Sequence, residues 1–258
     1  MGCSSGRFWL VTNGDRTYAI RPPSAIAGIA RSAAAEARDA LAEAFPSARQ
    51  QLAEELQQDW SNAWKAHIKS VQVGRLWVGP PWDVPNAPAD RVRLVIEPKM
   101  AFGTGDHPTT SLCLGAVDAY MKDHPGASVL DVGTGTGVLA IAAKKLGAGR
   151  VVGTDNDPVS VELARENSEL NATPDVEVSG KSLEAVAGPF DLVVANILAN
   201  TLIELAPLIV ERVKDRLLLA GVLEHQKADV EAAYVKLGLV AEPGAQHGEW
   251  VRLDFHRG

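Results

Sequence analysis

Val129-Leu130-Asp131-Val132-Gly133-Thr134-Gly135-Thr136-Gly137-Val138-Leu139 decides how this chain is read. A buried-type strand runs into three alternating glycines, and a helical pattern starts directly after them. Glycine lacks a Cβ, so a ligand can come close to the backbone, and the helix start offers unpaired N–H groups. A plain strand-to-helix turn does not call for three glycines in five residues. Outward from this loop, short apolar runs alternate with helical patterns. Val92–Ile96, Val129–Val132, Val151–Thr154, Val176–Val178, Leu192–Ala195, Arg216–Ala220 and Trp250–Phe255 read as strands. Thr109–Met121, Val138–Leu146, Val159–Asn171, 199–213 and 226–237 read as helices. The alternation predicts an α/β fold, a doubly wound and mostly parallel sheet covered on both faces. Ligands of such sheets lie beyond the carboxyl ends of the strands, where strand order reverses. The chemistry should therefore sit just after strands.

Two ligands compete for the glycine loop. In the register Gly135-x-Gly137-x-x-Ala140 it satisfies the dinucleotide fingerprint, and Asp155 falls about where that motif places its ribose acid. This is the nicotinamide-enzyme reading. Against it stands Asp131, whose carboxylate beside the loop would repel a pyrophosphate. S-adenosylmethionine carries no phosphate; its ammonium and sulfonium are favoured by an acid. On this reading Asp131, Gly133, Gly135 and Gly137 line the cofactor, and Asp155 accepts hydrogen bonds from the ribose hydroxyls. Asp157 precedes Pro158 and has a separate explanation as a helix N-cap, with proline at the first helical position.

Two further stretches face the same crevice. In Val193-Val194-Ala195-Asn196-Ile197-Leu198 an amide ends a buried strand. Its oxygen can accept a hydrogen bond from an amine and aim the nitrogen lone pair at a methyl group; the plainer reading is a turn residue. Enzymes that methylate planar amino groups often follow this Asn with Pro-Pro-aromatic, and Ile-Leu-Ala here weakens that substrate class. The loop Glu97–Thr110 holds Phe102-Gly103-Thr104-Gly105-Asp106-His107-Pro108-Thr109-Thr110. It suits a lid over a cofactor and equally a helix-capping loop. His107 is a residue type suited to general-base work, although a lone histidine is more often structural.

Composition bounds the rest. The 258 residues are 46% hydrophobic with a formal charge of −7 and a pI near 5.4. That acidity argues against direct gripping of nucleic acid, which needs a basic footprint. Residues 1–70 carry 8 basic and 7 acidic groups, and residues 71–258 carry 17 and 25. An acidic catalytic half favours a basic substrate, or simply solubility. Cys3 and Cys113 form neither a disulfide framework nor a metal spacing, so the default is the reducing cytoplasm. No segment is long and apolar enough to span a bilayer, and no signal-type segment follows the start. Met1-Gly2-Cys3 lacks the Ser or Thr that an acylation signal wants at Gly6.

The front of the chain reads differently. Phe8–Val11 and Tyr18–Ile20 flank Asn13-Gly14, a hairpin signal. An Ala-rich helix follows over 25–44. A second helix, from about Ala48 to Ile68, carries Leu52, Leu56, Trp60 and Trp64 at i, i+4 spacing, most simply a core face. Pro80, Pro81, Pro85 and Pro88 make 79–90 a stiff connector. The expected organisation is an N-terminal module over 1–78, a linker over 79–90 and a catalytic domain over 91–258.

Taken together, Asp59-Trp60 with Trp64, Arg75-Leu76-Trp77, Phe102–Thr110, Asp131–Gly137, Ala195-Asn196-Ile197-Leu198 and Gly248-Glu249-Trp250 resemble the PrmA family, methyltransferases of large-subunit ribosomal protein eleven. The similarity runs from about Trp60 to the C-terminus, and the Phe102–Thr110 loop is its most specific part. The resemblance implies a seven-stranded, Rossmann-like class I methyltransferase with S-adenosylmethionine as cofactor. It implies cofactor contacts at Thr110, Gly133, Asp155 and Asn196, to which the loop adds Phe102, Gly103 and Thr104. It also implies a ribosomal protein as partner, methylated on lysine ε-amines and the N-terminal α-amine. Relatives begin with a small α/β recognition domain; residues 1–58 offer one hairpin and Ala-rich helices, a module that reads as shortened or rebuilt. A catalytically silent S-adenosylmethionine-binding protein is the remaining alternative to an enzyme. For an enzyme, Asn196 orients the amine and His107 is the candidate for proton removal. No metal is needed.

Overall fold

The computed structural model describes residues 9–13, 16–20, 49–51, 70–97 and 107–258. In the first unit, 1–67, only backbone strands are described. Strand β1 (Trp9–Asn13) pairs antiparallel with β2 (Arg16–Ile20), ending on Asn13 opposite Arg16, as the hairpin signal requires. The other edge of β1 takes β3 (Arg49–Gln51), where a helix was expected. Pro46 breaks the pattern just before these residues, and the open hairpin edge offers them backbone partners. The Ala-rich helix at 25–44 and the Trp60/Trp64 stripe lie outside the described residues.

The second compact unit, Ile68–Gly258, starts before the expected linker. Strand β4 (Val71–Val73) turns into β5 (Leu76–Gly79), and β5 pairs in parallel with β6 (Val92–Val95). The proline-rich stretch between β5 and β6 is a 3-10 helix over Pro81–Asn86, not a tether. A parallel pair needs a crossover, and these prolines provide a stiff one. Leu76, Val78, Leu94 and Ile96 join the same core cluster as Cys113, Leu114 and Val117. Residues 68–90 thus belong with the catalytic unit.

The remaining elements run α1 (Pro108–Asp123), β7 (Val129–Val132), α2 (Val138–Lys145), β8 (Val151–Thr154), α3 (Pro158–Leu170), β9 (Glu177–Ser179), β10 (Phe190–Asn196), α4 (Ala199–Arg212), β11 (Val213–Leu223), α5 (Lys227–Val235), β12 (Leu239–His247) and β13 (Trp250–Arg257). Seven of the strands form one sheet in the order β12-β13-β11-β10-β7-β8-β9. It is parallel from β11 to β9, and β13 and β12 add antiparallel. Period-two alternation sends Val129, Leu192 and Val194 to the face under α1 and α2, and Leu130, Val193 and Ala195 to the face under α4 and α5. From β7 the chain steps outward through β8 to β9, then returns to β10 on the other side. The switch point therefore lies between β7 and β10.

Strand β12 was not legible in the sequence. Most of it is exposed, and its pairing shifts between Glu242 and Ala245, so that Pro243 and Gly244 stand opposite Leu253 alone. A Cβ on Gly244 would lie 1.9 Å from the Arg252 carbonyl oxygen. Among the described residues, no helix is long and apolar enough to cross a membrane.

Candidate functional site

The loop between β7 and α2 turns on left-handed backbone. Gly133, Gly135 and Gly137 have φ of +72°, +54° and +82°, which other residues adopt at a cost. Space is also short, since a Cβ on Gly133 would stand 2.3 Å from the Ile197 side chain. The Gly133 and Thr134 N–H groups both donate to the Thr154 carbonyl, at 2.8 and 2.9 Å, and fix the loop to the end of β8.

Asp131 is 1% exposed. Its Oδ2 accepts from the Thr134 hydroxyl at 2.6 Å and from the Ala140 N–H at 3.2 Å. Its Oδ1 is buried without a hydrogen-bond partner among the described residues. Burial pushes this carboxyl up to about 6; the bonds from Thr134 and Ala140 pull the other way, and the charge on Asp155 adds to the rise. An orphaned carboxylate oxygen in the interior is unfavourable until a donor or cation meets it.

Asp155 follows β8, half-buried. Its Oδ2 accepts from the Gly135 N–H at 2.9 Å and its Oδ1 from the Asp157 N–H at 3.0 Å, so the glycine loop and its own loop both brace it. Asp157 caps α3, accepting from the Val159 N–H at 3.0 Å and the Ser160 hydroxyl at 3.1 Å. Asp157 is thus the expected N-cap.

Asn196 ends β10. Val194 is in register with Asp131 on β7, and alternation places Asn196 on that same face, beyond the carboxyl end of the pair. The Asn196 amide donates to the hydroxyl of Thr110, which is buried in the first turn of α1, at 3.4 Å. Its Oδ1 is buried and has no partner among the described residues. The switch point thus gathers two orphaned acceptors, Asp131 Oδ1 and Asn196 Oδ1, with Thr110 and the glycine loop.

The structure seats His107 as the N-cap of α1. Its Nδ1 accepts from the Thr109 N–H at 3.4 Å and lies 2.8 Å from the Thr109 hydroxyl. The ring meets Trp250, edge to face, with centroids 5.1 Å apart. Phe102, Gly103 and Thr104 lie outside the described residues. Two contributors escaped the residue-level reading of the site. Ile197 covers Gly133, and its only signal is its place beside Asn196. Trp250 reaches His107 from a strand far along the chain, which spacing cannot reveal.

These residues fit S-adenosylmethionine. Asp131 Oδ1 would meet positive charge, Asp155 would accept from ribose hydroxyls, and the side-chain-free backbone at Gly133 and Gly135 would leave room beside it. A pyrophosphate would face the buried Asp131, which removes the nicotinamide reading.

Comparison with known proteins agrees. Residues 26–258 match the family model for Ribosomal protein L11 methyltransferase (PrmA). A Myxococcus xanthus protein named ribosomal protein L11 methyltransferase is 74% identical over 227 residues, 88% of this chain and 79% of that protein. One from Pelobacter propionicus is 44% identical over 78% of this chain and 67% of its own length. Among solved structures, the ribosomal protein L11 methylase of Lactobacillus delbrueckii matches with a TM-score of 0.68 and 33% identity, covering 73% of this chain and 98% of that one. Magnesium protoporphyrin IX methyltransferase from Synechocystis, with bound cofactor, shares the fold at a TM-score of 0.50 and 18% identity. By sequence, fold and site, the chain belongs to the ribosomal protein L11 methyltransferase (PrmA) family of S-adenosylmethionine-dependent methyltransferases.

Proposed function

We propose that this enzyme methylates ribosomal protein L11 on amino groups, lysine ε-amines together with the N-terminal α-amine, in the cytoplasm where ribosomal proteins assemble. The observation that carries the amine assignment is the buried Oδ1 of Asn196 at the switch point, unpartnered among the described residues. A carbonyl-type oxygen there can accept one N–H of an incoming amine and turn its lone pair toward the methyl group. S-adenosylmethionine supplies an electrophilic methyl on sulfur, and the chain supplies position, desolvation and acceptors.

The substrate nitrogen must arrive neutral. A lysine amine with a pKa near 10.4 is neutral in about one molecule in 2,500 at pH 7, a penalty of about 4–5 kcal/mol. An α-amine near 7.7–8.0 costs about 1 kcal/mol. Burial around Asn196 favours the neutral form, and the adjacent sulfonium disfavours a second cation. With the nitrogen held in line, positioning supplies most of the acceleration. His107 is better suited to holding the start of α1, and hence Thr110, than to removing the proton, because capping already engages its Nδ1.

The test is transfer of labelled methyl from S-adenosylmethionine to purified ribosomal protein L11, with the modified positions read by mass spectrometry. Label on lysines and the N-terminus supports the reading. Label on another protein of a ribosomal extract, with L11 untouched, would replace the substrate. Cofactor binding with no transfer to any protein would mark a silent binding protein.

A further inference from the structure

Buried polar side chains outside the catalytic group concentrate on α3. Asn167, 0% exposed, sits on a face of α3 otherwise packed through Val161, Leu163 and Ala164, and Asn171, 4% exposed, is the C-cap of that helix. The Asn171 Oδ1 accepts from the Val95 N–H at 2.9 Å, and its amide donates to the Val95 carbonyl at 2.6 Å. One turn earlier, the Asn167 Oδ1 accepts from the Glu97 N–H at 2.9 Å. The two amides pair with the outer edge of β6 as a neighbouring strand would, while Ile96 between them donates to Gly79 on β5.

Asn167 does one thing that Asn171 does not. Its Nδ2 donates to the Thr136 carbonyl at 2.9 Å, inside the glycine loop. Thr136 lies between Gly135 and Gly137, and the Gly135 N–H is the donor that braces Asp155. A single buried amide therefore ties together the glycine loop, the helix that Asp155 and Asp157 lead into, and the end of β6. Glycines leave that loop conformationally free; a fixed carbonyl at its centre restores the order that cofactor binding needs.

We propose that Asn167 is a positioning residue for S-adenosylmethionine, acting through the Thr136 carbonyl to hold the glycine loop and Asp155 in their binding geometry. The proposal rests on the cofactor assignment above. It explains a polar residue at a core position, where a leucine would pack as well but would give up the bonds to the Thr136 carbonyl and the Glu97 N–H.

Asn167→Asp separates this role from plain stability. It keeps the shape and the acceptor for Glu97 but replaces the donor with an acceptor facing the Thr136 carbonyl. Calorimetric titration with S-adenosylmethionine at pH 8.5 should show affinity weakened roughly tenfold or more relative to wild type. The ratio to wild type should shrink toward pH 6.5, as the buried carboxyl takes up a proton and can donate again. KM for the cofactor should rise while kcat at saturation stays within about threefold. Asn171→Asp, which touches β6 and the Asn167 carbonyl but not the loop, should lower the melting temperature yet keep affinity within about twofold. Unchanged affinity in folded Asn167→Asp, or equal losses in both variants, overturns the proposal. Should Asn167→Asp not fold, Asn167→Ser against Asn171→Ser carries the same comparison. A wild-type protein that does not bind the cofactor in that titration would defeat the cofactor assignment itself, and the proposal with it.

Discussion

Asp131 joins stability and function in opposite directions. Its carboxyl is raised to about 6, from 3.8, chiefly by burial. Between those values the folded chain holds a proton that the unfolded chain has released. This group's contribution to stability is therefore present at low pH and lost as pH rises through about 6. Asp131→Asn should accordingly raise the melting temperature of the cofactor-free protein more at pH 8 than at pH 5, while removing the shift that S-adenosylmethionine produces. Melts at both pH values, with and without cofactor, check this. Asp155→Ala should weaken cofactor binding by about 1.5–3 kcal/mol, the scale for hydrogen bonds to a charged group, as read by calorimetry. If Asn196 orients the amine as proposed, Asn196→Ala should lower turnover far more than cofactor affinity; equal losses in both, measured on one preparation, would make it only a cofactor ligand. Asp131, Asp155 and Asn196 stood out in the sequence because each lies at the carboxyl end of an apolar run. Asn167 was not, since a polar residue on a helix face does not declare that its partners are backbone groups 31 and 70 positions away.

At the scale of elements, the alternating core was readable because parallel strands buried on both faces are short, continuous apolar runs. The misreadings lie where pairing, not pattern, decides. Residues 49–51 are a strand because β1 offers an edge, and the four prolines before β6 are a crossover because Leu76 and Val78 are needed in the core. The turn between β4 and β5 is fastened to α1 by Asp118. Its carboxylate accepts from the Arg75 N–H at 3.0 Å and from the Arg75 guanidinium at 2.7 Å, while the guanidinium also donates to the Asp118 carbonyl. A Cβ on Gly74 would stand 2.1 Å from that carboxylate. Asp118→Ala should therefore destabilise the fold by about 1.5–3 kcal/mol in chemical denaturation and leave cofactor affinity unchanged. A loss of affinity would mean that this small sheet also shapes the crevice.

For the whole molecule, the compact unit beginning at Ile68 sets where the chain can be cut. A protein starting at Ile68 should fold and bind S-adenosylmethionine while losing methylation of intact L11, if residues 1–67 select the substrate. One starting at Trp77 should be markedly less stable, because it loses β4 and the Arg75 clamp. Thermal melts beside the methylation assay distinguish these outcomes; a stable Ile68 form with full activity on intact L11 would give selection to the catalytic unit. The sheet's outer end carries a different consequence. Strand β12 is the last in its row, and a last strand is a template on which another molecule can continue the row. The Pro243-Gly244 bulge bends that strand and leaves it one N–H short, and the Arg252 carbonyl keeps any larger residue out of the bend. That rim is therefore a poor template for a further strand, and its demand for proline and glycine follows from the shape of the bend.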